Sequence, residues 1–133
     1  MDSAEFRGFV ERLGKAMNAA VVDDKGELGL DVPLDDGRHQ HVFLGLVKDA
    51  LDRPLLAAYA NIGDSDDIDP MAALELNSTT PYGAVAILDG RVIMRRTERL
   101  SSLDPESLAE SIQLLALNAD LIEQTLYGRR DRF

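Results

Sequence analysis

The stretch Gly83-Ala84-Val85-Ala86-Ile87-Leu88-Asp89-Gly90-Arg91-Val92-Ile93-Met94-Arg95-Arg96-Thr97-Glu98 decides the fold. Two apolar runs flank one Asp-Gly pair. That pair favours the two positive-φ positions of a tight turn whose twist matches antiparallel strands. The segment therefore reads as a β-hairpin, with strands over 83–88 and 91–98. Upstream, Asp69-Pro70 opens a short helix over 70–77: aspartate accepts from free amides, and proline needs no donor in the first turn. Thr79, Thr80 and Pro81 close it. Downstream, Asp104-Pro105 opens a second helix by the same device. It runs to Tyr127, with Gly128 as its stop.

Further out, Leu28, Leu30, Val32 and Leu34 alternate with Glu27, Gly29, Asp31 and Pro33, the signature of a half-buried strand. Pro33 lacks a donor and suits an edge. Asp36-Gly37 marks another turn. Strands follow over 39–48 and 55–62, with Asp52, Arg53 and Pro54 between them. Residues 63–69 form an acidic loop. The first helix spans 3–20, with Phe6, Phe9, Val10, Leu13, Met17 and Ala20 on one stripe and Asp2 with Glu5 at capping-box spacing. Gly8 and Gly14 weaken it by about 1 kcal/mol each. The expected class is α+β: one antiparallel sheet of about five strands with three helices, in the order α-β-β-β-α-β-β-α. Its 133 residues make one domain.

Charge restricts function. The chain carries 14 basic and 24 acidic side chains, a formal net charge of −10. Such a surface repels phosphate backbones and anionic head groups. Nucleic acid and membranes are poor partners, and a basic protein or peptide is a better one. Without cysteine there is no disulfide framework, thiolate metal site or cysteine nucleophile. The N-terminal residues show neither a basic n-region nor a long apolar run, which points to the cytoplasm.

The chemistry-bearing residue types do not assemble into a motif. Asp64, Asp66, Asp67 and Asp69 are followed by Glu75 at the twelfth position of a calcium loop starting at Asp64, but Ile68 and Asp69 occupy its fifth and sixth. An acidic loop favouring the positive end of the next helix explains the cluster. His39 and His41 point to one face of a strand, yet no cysteine or further histidine completes a metal shell. No nucleophile elbow, P-loop or Gly-x-Gly-x-x-Gly occurs. The expectation is a non-enzyme without catalytic residues, metal or cofactor.

The last helix carries two stripes. Leu108, Ile112, Leu115, Ala119, Ile122 and Leu126 form one, which should cover the sheet. Leu114, Leu117 and Leu121 fall on nearly the opposite side and form a candidate partner-binding or homodimer surface. Phe6, Val10, Leu30, Val32, Phe43 and Leu46 are candidate groove residues for a client.

The chain resembles the type III secretion chaperone-like superfamily, including YbjN-like and Tir-chaperone-like proteins. The resemblance rests on Leu74-Glu75-Leu76-Asn77 with Pro81-Tyr82-Gly83-Ala84-Val85-Ala86-Ile87, on Arg91-Val92-Ile93-Met94-Arg95-Arg96, and on Leu117-Asn118-Ala119-Asp120-Leu121-Ile122-Glu123. It implies a small, acidic, homodimeric chaperone-type domain that binds a client segment in extended form. The rival expectation is a regulatory adaptor that docks a folded partner through an acidic face and the helix patch.

Overall fold

A computed structural model describes residues 1–102 and 104–127. The expected Gly128 stop and the tail after it lie outside the described residues. The elements are α1 (Ser3–Met17), β1 (Ala20–Asp24), β2 (Glu27–Pro33), β3 (His39–Lys48), β4 (Pro54–Asp64), α2 (Pro70–Glu75), β5 (Ala84–Leu88), β6 (Arg91–Arg99) and α3 (Pro105–Tyr127). One antiparallel sheet has six strands in the order β1-β2-β3-β4-β6-β5. The α+β class and the three helices are as expected. The sheet has one strand more than the five read from the sequence.

The extra strand is β1. The first helix stops at Met17, because Asn18 takes a left-handed conformation (φ 55) and its amide turns back to the carbonyls of Gly14 and Lys15. Ala20 therefore opens a strand and does not extend the helix. Lys25 and Gly26 form the turn to β2 with φ of 54 and 89. Gly14 has a packing reason. A Cβ there would sit 2.8 Å from the Ala19 carbonyl oxygen and 3.2 Å from Leu30, so only glycine lets α1 end this close to the first two strands.

Helix starts follow the expected capping chemistry. The Glu5 amide donates to Asp2 at 2.8 Å, the Met71 amide to Asp69 at 3.0 Å, and the Glu106 and Ser107 amides to Asp104 at 3.0 Å each. Asp89 (φ 51) and Gly90 (φ 77) make the expected hairpin turn. Pro33 sits at the end of β2, an interior strand. The β1 pairing ends at Ala20 opposite Asp31, so nothing on that side asks Pro33 for a donor.

The core lies between one sheet face and the helices α1 and α3. It takes Leu30 and Val32 from β2, Val42 and Leu44 from β3, Leu56, Ala58 and Ala60 from β4, and Val92 and Met94 from β6. From above come Val10 and Leu13 of α1 with Leu108, Ile112, Leu115, Ala119 and Ile122 of α3. The predicted α3 stripe is thus the buried one, apart from the partly buried Leu126. Three ties fix α3 in place. Arg38 pairs with Asp120 at 2.8 Å, and the Glu98 carboxylate accepts from Arg96 at 2.7 Å and from Ser111 at 3.0 Å. At its C-terminal end the Tyr127 hydroxyl donates to the Asp64 carbonyl at 2.7 Å.

Candidate functional site

A six-stranded sheet has two edges and two faces, and each is a possible place for a partner. The edges differ. In a two-residue hairpin the residues flanking the turn form a hydrogen-bonded pair, and bonding then alternates along the strand. In β5 this directs Leu88, Ala86 and Ala84 to β6 and turns the amides and carbonyls of Ile87 and Val85 outward. Asn77 occupies that edge: its side-chain amide donates to the Val85 carbonyl at 3.2 Å and its oxygen accepts from the Val85 amide at 2.6 Å. One side chain thus makes both bonds of a neighbouring strand.

At β1 the same alternation directs Asp24, Val22 and Ala20 to β2 and turns Asp23 and Val21 outward. Asp23 is tied by Arg7 and by the Gly26 amide. Val21 opens on a groove of about 620 Å³ lined by Glu11, Gly14, Lys15, Asn18, Ala19 and Ala20. An extended segment placed there would meet the Val21 amide and carbonyl, which among the described residues have no other partner, and one side chain of each charge.

The face turned away from α1 and α3 carries three cross-strand rows. Phe43, Tyr59 and Arg95 are in register, as are Gly45, Ala57 and Thr97, and then Val47, Leu55 and Arg99. The middle row is small, so it forms the floor of a trough between the outer two. Strand geometry separates those outer rows by about 14 Å. Phe43 and Tyr59 stack with centroids 5.2 Å apart, and the His41 ring meets Phe43 edge-on at 6.4 Å. A Cβ on Gly45 would meet nothing within 4 Å. Towards the β1–β2 turn the floor runs into a cavity of about 380 Å³, lined in part by Glu27, Val47 and Ala57. The Tyr59 hydroxyl donates to Glu27. Burial, then that bond and the Glu27 and Asp24 charges, push the phenol up to about 12.

The two histidines share this face, as expected. Asp31 stands between them, 3.3 Å from His39 Nδ1 and 3.3 Å from His41 Nε2. Even so, among the described residues no three such side chains are grouped to hold a metal ion. The acidic loop residues Asp64 and Asp69 act as local caps.

The candidate residues divide. Val10, Leu30 and Val32 are enclosed in the core, and Phe6 lies at its margin and also lines the cavity beside Glu27. Phe43 forms a trough wall. Leu46 is exposed at the end of the core face, while Leu114 and Leu117 are half-buried and Leu121 is 60% exposed. Sequence reasoning missed Gly45, Ala57 and Thr97, whose meaning comes only from register.

No family model and no curated protein matches the chain. Solved structures do match it. One is a chain of the HopA1–SchA chaperone–effector complex, with a TM-score of 0.52 over 89% of this chain and 94% of that one, at 13% identity. The fold is chaperone-like. Within it, the β1 edge beside its groove and the trough on the sheet face are open surfaces among the described residues. Among the described residues no helix is long and apolar enough to cross a membrane.

Proposed function

We propose that the protein is a non-enzymatic, chaperone-type binding protein that holds a client segment in extended form. The carrying observation is the asymmetry of the sheet edges. Asn77 takes the outward amide and carbonyl of Val85 on β5, while among the described residues nothing bonds the outward amide and carbonyl of Val21 on β1, which lie beside an open groove. Strand addition there supplies main-chain hydrogen bonds, and the small-floored trough accepts apolar side chains of the client. The structural neighbour belongs to a complex named as chaperone with effector, which supports a client of protein nature. Homodimerisation belongs to the same reading. Met71 and Leu74 of α2 and Ile87 and Leu88 of β5 are all exposed on elements that touch each other.

The test is capture of partners from the host lysate by the tagged chain, followed by limited proteolysis of the complex. The expected result is one dominant partner protected over an extended segment, and its loss in Gly45→Trp, whose Cβ has open space and whose ring fills the trough. A partner held as a folded domain through Leu114, Leu117 and Leu121, indifferent to Gly45→Trp, would replace this reading with the adaptor.

A further inference from the structure

The net charge of −10 draws attention to basic clients, but the trough has the opposite polarity at one end. Along β6, residues 91, 93, 95, 97 and 99 face away from α3. Three of them are arginines: Arg91, Arg95 and Arg99, all exposed. In this chain carboxylates outnumber bases 24 to 14, so an arginine finds a partner easily. Arg7, Arg38, Arg53 and Arg96 each do so, whereas Arg12 on α1 pairs with none among the described residues. Among the described residues no carboxylate pairs with Arg91, Arg95 or Arg99. Arg95 ends one wall of the trough and Arg99 ends the other, with Thr97 on the floor between them.

The opposite end of the same face is acidic, with Asp24, Glu27 and Asp31. The face is therefore bipolar, negative over β1 and β2 and positive over β6. A nucleic acid strand carries charge evenly and would meet those three carboxylates. A polypeptide can concentrate its charge.

Resting on the client-binding reading above, we propose that the segment seated in the trough is an acidic polypeptide segment whose carboxylates meet Arg95 and Arg99 where it crosses β6. Guanidinium groups on either side of the exit donate to carboxylates in bidentate geometry. They fix the direction in which the segment lies, because reversal would bring its carboxylates towards Glu27 at the other end of the floor. Arg91, one step further along the strand, extends the attraction outward and speeds encounter.

The experiment uses the full chain and three fluorescent probes of equal length. Two are synthetic peptides with one shared pattern of leucine and alanine, carrying glutamate or lysine at the polar positions. The third is an oligothymidylate. Anisotropy titrations at low and high salt are run on the wild type, on Arg95→Glu/Arg99→Glu, on the milder Arg95→Gln/Arg99→Gln, and on Gly45→Trp, each checked for folding by circular dichroism. The expected result is that the glutamate peptide binds at least about tenfold more tightly than the lysine peptide at low salt. The preference vanishes in the glutamine variant and inverts in the glutamate variant, and Gly45→Trp weakens both peptides. Equal or tighter binding of the lysine peptide, still lost in Gly45→Trp, overturns the acidic client and leaves the trough standing. Tighter binding of the oligothymidylate, lost on charge reversal, overturns it in favour of nucleic acid. Binding of neither peptide overturns both the inference and the trough reading.

Discussion

Tyr59 ties one wall of the trough to its acidic end. Its ring forms part of one wall, and its hydroxyl donates to Glu27 near the β1–β2 turn. The phenol ordinarily titrates near 10 and is pushed up to about 12 here. A folded pKa raised above the unfolded one gives stability that is complete below pH 10 and lost as pH rises from 10 towards 12. Chemical denaturation across that window should show the loss, and Tyr59→Phe should flatten it. Gly63 is a second sensitive residue. A Cβ there would lie 2.5 Å from the Tyr127 ring. Gly63→Ala should cost about 1–3 kcal/mol through overpacking. Hydrogen exchange should show the last turn of α3 loosening first, because the Tyr127–Asp64 bond is the one displaced.

At the scale of elements, α3 offers a clean contrast. Leu115 is fully buried, and Leu117 is half-buried outside the main core. Leu115→Ala should cost about 2–5 kcal/mol, and Leu115→Asp should unfold the chain by burying an unpaired charge. Leu117→Asp should remain folded, with its effect confined to partner binding. Urea denaturation separates these outcomes. Asn77→Ala strips both bonds from Val85 and should cost about 1 kcal/mol, with faster exchange at the Val85 amide.

Elements marked by local chemistry were legible in the sequence: the Asp-Pro helix starts, the Asp89-Gly90 turn and the alternation of β2. The β1 strand was hidden because Ala20 continues the α1 stripe by one helical step, and because a lysine holds the first positive-φ position of the Lys25-Gly26 turn. The trough was hidden for a different reason. In β3 apolar residues fall on both faces, Val42 and Leu44 inward, Phe43 and Val47 outward. Composition alone does not say which of them line a surface. Only the pairing of β3 with β4 and β6 brings Gly45, Ala57 and Thr97 into one row.

For the molecule as a whole, the proposed homodimer has a direct readout. Sedimentation of the 14.6 kDa chain should give twice that mass, and Met71→Glu with Leu88→Glu should return the monomer without loss of secondary structure. Salt has a separate signature. Association through Met71 and Leu88 is apolar and should resist salt, whereas client capture at Arg95 and Arg99 should weaken as salt is raised.

The Asn77 clasp on Val85 also bears on how the protein assembles. A sheet with two open edges is a monomer for filament growth, since every added copy presents a fresh end. Here Asn77 takes the outward bonds of Val85 at one end, so two copies paired through β1 would present only their β5 edges, each obstructed at Val85. Complexes formed this way are finite in stoichiometry. Asn77→Ala removes the bonds to Val85, and a rise in concentration-dependent fibre formation by that variant, followed by thioflavin fluorescence, is the expected outcome.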